Sequence, residues 1–159
     1  MSQNRFPISP AGFKKMEDEL HLLKTIERHS IISAIAEARA HGDLSENAEY
    51  HAAKEKQSFI EAKISDYENK ISRAQVIDIS QVSSNIIQFG ATVEMEDEET
   101  DEKITYTIVS EYEADAARKL ISVFSPVAKA LVGKKVGESI EVGTPKGTKY
   151  YHILAFKFG

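Results

Sequence analysis

Apolar residues recur with a helical period in the first half of the chain and with the period of a strand in the second. From Phe13 the apolar positions run Phe13, Met16, Leu20 and Leu23. This spacing of three, four, three is that of a coiled-coil seam. Strict continuation would put Glu27 and Ser30 in the seam, so it breaks. It resumes at Ile31, Ala34 and Ala38, displaced by one residue, which predicts a stutter that locally changes the supercoil. Ser9 and Pro10 predict the helix start, with Ser9 as N-cap and Pro10 at the first helical position, where a missing N–H costs nothing. Gly42 predicts its end. A second seam, Ile60, Ile64, Tyr67, Ile71 and Ala74, predicts a second helix beginning near Asp43. Nearer that start the seam shrinks to Ala48, Ala52 and Ala53. Each helix has about 30 residues and is roughly 45 Å long at 1.5 Å per residue. The short turn forces the two to pair antiparallel. Residues 1–79 are thus expected to form an antiparallel coiled-coil hairpin. Its small core and large surface suit reaching into something better than enclosing a ligand.

After Asp78 the period changes, and the polar connector at 80–85 marks the expected domain boundary. Residues 91–95 and 103–109 alternate as strands, joined by an acidic turn over 96–102. A short helical turn is expected within 114–120. Ser125-Pro126 opens a short helix closed by Gly133, and 139–142 and 150–158 read as further strands. The class is therefore α+β, with a small antiparallel sheet and one short helix over 80–159. The seven acids between Glu94 and Glu102 read as a solvated turn.

Charge and composition narrow the classes. The net charge of −5 argues against tight autonomous binding to nucleic acid, whose affinity comes from neutralising phosphates. Without Cys there are no disulfides or thiolate metal sites. No apolar run approaches the roughly 20 residues of a membrane span, and the first ten residues lack a signal-peptide core. The expected location is the cytoplasm, with no membrane partner. Lys56, Lys63 and Lys70 recur every seven residues beside the seam. They read either as flanking charges paired with Glu17, Glu19 or Glu27 of the other helix, or as a basic stripe toward RNA or DNA. Arg39 and Lys54, nearer the tip, suit the second role better.

The candidate chemistry sits at the tip. Asp43, Glu46 and Glu49 crowd together there, with Arg39, His41 and Lys54 close by. Asp43 and Glu46, three apart at a helix start, form a capping box in one reading. In the other they ligate a metal, because carboxylate oxygens suit Mg²⁺. Two acids on an exposed tip cannot hold Mg²⁺ tightly, and no other group in the chain completes the site. A metal site here would be half of one, with a partner supplying the rest. The chain has no Gly-rich phosphate loop and no Gly-x-Ser-x-Gly elbow.

These residues together resemble a family, the bacterial transcript cleavage factors of the Gre type, and within it the GreA branch. Residues 37–57, Glu37-Ala-Arg-Ala-His-Gly-Asp-Leu-Ser-Glu-Asn-Ala-Glu-Tyr-His-Ala-Ala-Lys-Glu-Lys-Gln, match the family signature nearly throughout. Ile8-Ser-Pro-Ala-Gly-Phe13 and residues 19–24 match its first-helix pattern, and residues 121–134 match its second signature. The resemblance implies a factor that binds RNA polymerase and inserts the coiled-coil tip in the secondary channel. There it would stimulate Mg²⁺-dependent cleavage of the nascent RNA 3′ end in a backtracked complex. Asp43 and Glu46 would be the catalytic, metal-positioning acids, sharing the Mg²⁺ with the polymerase. Such a protein is not itself an enzyme and holds no metal in isolation. Arg39, Ser45, Asn47 and Lys54 would be tip contacts to RNA or polymerase. The second half would be an FKBP-like domain docking near Ser125 and Pro126. Two rivals stand beside this. One is an FKBP-like peptidyl-prolyl isomerase or chaperone, suggested by residues 131–138. The other is a polymerase regulator that plugs the channel without chemistry.

Overall fold

The computed structural model describes residues 4–42, 47–82 and 84–158. The chain divides into two compact units. Phe13–Ala74 with Asn4 makes the first, and Arg5–Gly12 with the residues from Gln75 onward makes the second.

The first unit is a helical hairpin. Helix α1 spans Pro10–Leu22, a π-helical turn spans Leu23–Glu27, α2 spans Arg28–Ala40, and α3 spans Ala48–Arg73. Along α3 the positions Tyr50, Ala53, Gln57, Ile60, Ile64, Tyr67 and Ile71 are all buried or half-buried, alternately three and four apart. Leu23, Ile31, Ile35, Ala53, Ile60 and Ile64 form the hairpin core, with Leu20, Tyr50 and Tyr67 packed on it. Of the small residues expected in the seam, Ala38 and Ala53 are buried but Ala34, Ala48 and Ala52 are exposed, and Ile35 takes the place of Ala34. The predicted stutter is taken up by the π turn. The N–H of Arg28 donates to the Leu23 carbonyl, five residues back, and so absorbs one extra residue.

Charge pairing across the hairpin runs opposite to the expected sense. Arg28 donates two bonds to Glu61, at 2.9 and 2.8 Å, and Lys24 pairs with Glu68 at 3.1 Å. The cations sit on the first arm and the acids on α3. Lys63 instead lies over the Phe59 ring at 5.0 Å, and Lys70 pairs with Asp66 of its own helix at 2.8 Å. The Arg28 pair raises the guanidinium and lowers the Glu61 carboxyl, but it is solvent-screened and contributes little stability. Tyr67 donates to Glu19, and that bond, helped by burial, pushes the phenol up to about 12.

β1 (Phe6–Ile8) pairs with β2 (Ala74–Val76), and all of this pair but Ala74 belongs to the second unit. The helical pattern was expected to include Ala74, but α3 stops at Arg73 and Ala74 opens a strand. A five-stranded sheet follows, made of β3 (Ala91–Asp97), β4 (Lys103–Val109), β5 (Leu120–Ser122), β6 (Ser139–Thr144) and β7 (Gly147–Phe158), in the order β5-β4-β3-β7-β6. β5 runs parallel to β4, while the other neighbours are antiparallel, so the sheet is mixed. Three residues are too few to show alternation, which is why β5 does not stand out in the sequence. Helix α4 (Pro126–Leu131) buries Ala128 and Leu131 against Val93, Met95, Ile108 and Ile153.

One acid of the acidic turn is not solvated. Asp97 is only 7% exposed. Its carboxylate accepts from the N–H of Glu99 at 2.8 Å and of Thr100 at 3.4 Å, and Lys149 lies 3.4 Å away. The Glu99 N–H, with smaller contributions from Thr100 and Lys149, outweighs burial and holds the carboxyl below its ordinary value. A depressed folded-state value means that the unfolded chain takes up the proton first. The stabilisation is present above the unfolded value and is lost as pH falls through the folded one. Asp97→Asn keeps an acceptor for Glu99 but cannot titrate. In urea unfolding from about pH 5 down to about pH 2, wild type is expected to lose stability more steeply than Asp97→Asn. Parallel curves would refute the assignment.

Candidate functional site

The hairpin tip is assembled from the two helix ends. Helix α2 closes with the N–H of His41 on the Ala38 carbonyl, at 3.2 Å, and the N–H of Gly42 on the Arg39 carbonyl, at 3.3 Å. Gly42 has φ of +108°, a conformation that side chains rarely adopt and that suits a glycine just past a helix end. On the other side the helix begins at Ala48, later than the expected start near Asp43, and its N-cap is Asn47. Asp43 and Glu46, read as a capping box, lie outside the described residues, as does Ser45.

Asn47 uses both ends of its amide. Its Oδ1 accepts from the Tyr50 N–H at 3.0 Å and caps α3. Its Nδ2 donates to the Ala38 carbonyl at 2.7 Å, in the last turn of α2. One side chain thus satisfies a backbone N–H at the start of α3 and gives the Ala38 carbonyl, which also accepts from the His41 N–H, a second donor, so it ties the two helix ends together. The Arg39 guanidinium lies 5.9 Å from the centre of the Tyr50 ring, and His41 Nδ1 lies 3.6 Å from a Glu49 oxygen.

Of the predicted site residues, Arg39 and Asn47 therefore meet around Tyr50. Lys54 stands exposed farther along α3, with its ammonium 3.3 Å from Gln57 Oε1. Asn47, expected as a contact to a partner, is engaged within the hairpin at both amide ends. Tyr50 escaped the sequence reading, although stepping the seam back from Ile60 through Gln57 and Ala53 reaches it. Among the described residues, no group of three or more His, Cys, Asp or Glu could hold a metal ion. None of the described helices is long and apolar enough to cross a membrane. In the second unit, Ser125 Oγ accepts from the Ala128 N–H at 3.3 Å and caps α4, while Pro126 is exposed beside Phe124, itself 46% exposed.

Known proteins share this arrangement in sequence. The family model described as transcription elongation factor, N-terminal, matches residues 6–76, and that described as transcription elongation factor, GreA/GreB, C-term, matches 82–158. The chain belongs to the GreA/GreB family of transcription elongation factors. Transcription elongation factor GreA of Rickettsia canadensis is 56% identical over 154 residues, covering 97% of this chain and 95% of the relative. That of Rhodospirillum rubrum is 54% identical over 155 residues, covering 98% and 99%. The crystal structure of GreA factor homolog 1 of Thermus thermophilus matches with 28% identity and a TM-score of 0.45, over 97% of this chain and 99% of that one. Family membership makes this chain a transcription elongation factor and does not favour the isomerase or chaperone reading.

The Asn47 clasp can be tested apart from transcription. Asn47→Ala removes the cap and the bridge and is expected to destabilise the hairpin by about 1–2 kcal/mol. Asn47→Ser keeps a capping acceptor for Tyr50 but has no second group to place against the Ala38 carbonyl, so it should recover the cap, about 1 kcal/mol. Thermal unfolding followed by circular dichroism measures both. Equal losses would show that the cap contributes nothing.

Proposed function

We propose that this elongation factor binds bacterial RNA polymerase, inserts its hairpin tip in the secondary channel and stimulates Mg²⁺-dependent cleavage of the 3′ end of backtracked RNA. Arrested elongation complexes would thereby resume. The observation that carries this reading is the position of Asp43 and Glu46. In a chain of this family, they fall between the end of α2 at Ala40 and the start of α3 at Ala48, where two antiparallel helices end side by side.

The donor chemistry fits Mg²⁺, a hard cation that takes oxygen ligands and is commonly held by one or two carboxylates with its remaining positions filled by others. Asp43 and Glu46 would hold it, together with groups of the polymerase. When bound, the ion supplies charge that favours an attacking hydroxide and a leaving oxygen. The described tip residues add no third ligand, since Glu49 faces His41. The chain is thus an activator that donates carboxylates to another protein's active site. Arg39, Ser45, Asn47 and Lys54 would contact RNA or polymerase around the tip, with Asn47 also holding the tip's own frame. Ser125, Pro126 and the exposed Phe124 would dock the second unit. Action on bacterial polymerase places the protein in the cytoplasm.

Asp43→Ala and Glu46→Ala are each expected to lower RNA cleavage in a halted, backtracked complex by at least about 100-fold, while leaving polymerase binding unchanged in a competition assay. Because Asn47 caps α3, these substitutions should leave thermal stability close to wild type. If both variants cleave as wild type does, the catalytic-tip reading is wrong.

A further inference from the structure

The two arms of the hairpin do not carry the same register. Helix α3 keeps an unbroken three-four alternation from Tyr50 to Ile71. The first arm buries Met16 and Leu23, then Ile31, Ile35 and Ala38. Ile31 follows Leu23 by eight residues, where two turns of a heptad seam take seven. Removing one residue between them would restore a strict seam in both arms. The hairpin's own packing therefore does not call for the extra residue. It is nonetheless well accommodated. The Arg28 N–H reaches the Leu23 carbonyl, and the Thr25 hydroxyl donates to the His21 carbonyl at 2.7 Å. Single-turn π segments of this kind occur frequently at functional sites.

What the turn presents to solvent is apolar. Leu22 is 53% exposed and Ile26, one turn on, is 61% exposed. Across the hairpin Phe59 is 62% exposed. Lys63 links the two arms. Its ammonium lies over the Phe59 ring, and it lines the same hollow of about 290 Å³ as Leu22, Glu27 and Tyr67. Several charges of this stretch are committed within the hairpin, Lys24 to Glu68, Arg28 to Glu61 and Glu19 to Tyr67, and Glu27 adds an exposed acid to the hollow. Such a ridge offers little to a phosphate backbone and fits an apolar protein surface.

We propose that the π turn Leu23–Glu27 is a one-residue insertion that holds Leu22 and Ile26 outward. With Phe59 they form an apolar contact ridge on the hairpin shaft for the polymerase protein surface beside which the hairpin lies. This rests on the polymerase reading above. Three side chains offer a few hundred Å² at most, against about 800 Å² per partner in a stable interface. The ridge is too small to hold a second copy of this chain by itself. It serves as an added contact for a partner already engaged elsewhere on the hairpin.

The test combines deletion of Ile26 with two point variants, Leu22→Ser and Ile26→Ser, all in the full chain. The deletion should leave helicity unchanged and the melting temperature no lower, because the seam becomes strict. All three variants should raise the concentration needed for half-maximal RNA cleavage by about tenfold, with the maximal rate unchanged. If wild type itself fails to stimulate cleavage, the polymerase reading has failed. If wild type cleaves and the point variants match its half-maximal concentration, the ridge is overturned and the polymerase reading stands. A deletion variant that melts well below wild type overturns the insertion, because the hairpin then needs the residue. Sedimentation equilibrium supplies the last arm. A wild-type dimer that Ile26→Ser dissolves would assign the ridge to a second copy and overturn the polymerase assignment.

Discussion

Two antiparallel helices share one apolar seam, and the placement of the tip depends on that seam keeping register. Ile60 and Ile64 on α3 meet Leu23, Ile31 and Ile35 on the other arm. A side chain points into or out of a helix pair according to its phase, so an uncorrected extra residue would turn every later one by about a quarter turn. The π turn removes that error within five residues. Beyond it, Ala38 is buried and Arg39 reaches the Tyr50 ring. Register on the shaft is thus a precondition for the arrangement at the tip, although the two are separated by more than three helical turns.

At the tip the problem changes from apolar packing to unpaired backbone groups. Where two helices end side by side, the carbonyls of one and the N–H groups of the other lack partners. A carboxylate could cap α3 but could not donate to α2. An amide does both, which is the physical reason for Asn at position 47. The cap observed on α3 is that of Asn47, while Asp43 and Glu46, read as a capping box, lie outside the described residues.

Much of this was legible in the sequence, and the failures have specific causes. The hairpin, the strand at Lys103–Val109 and the start of α4 at Ser125-Pro126 follow from periodicity and helix-start chemistry, which are local. The one-residue shift after Leu23 was visible, but its resolution was not. A stutter and a π turn absorb the same offset, and hydrogen bonding decides between them. β5 was missed because its pairing with β4 is parallel and nonlocal. Asp97 was lost among seven neighbouring acids, because burial of one of them depends on how the turn folds over it. At the candidate site, Arg39 and Asn47 were named from sequence as contacts to a partner, whereas their contacts around Tyr50 lie within the hairpin and depend on how its two ends meet. Tyr50 was hidden as an ordinary seam residue, and the relation of Asp43 to Glu46 lies outside the described residues.

An incomplete metal site has a physical advantage that a complete one would lack. Two carboxylates exposed to water bind Mg²⁺ weakly, because the ion gives up its hydration reluctantly. If the tip acts as proposed, its acids have little chemistry to offer until a partner brings further ligands and excludes water. Hydrolytic capacity then exists only in the assembled complex. The same logic asks for a stiff shaft with its charges paired internally. A hairpin whose cations and acids pair across its own arms, as Arg28 and Glu61 do, carries fewer unpaired charges that would have to be stripped of water in a narrow passage. The whole chain's net charge of −5 also disfavours capture by nucleic acid elsewhere. On the proposed reading, weak metal affinity, internal ion pairing and acidic balance would be three expressions of one requirement, that the tip be inert until it is placed.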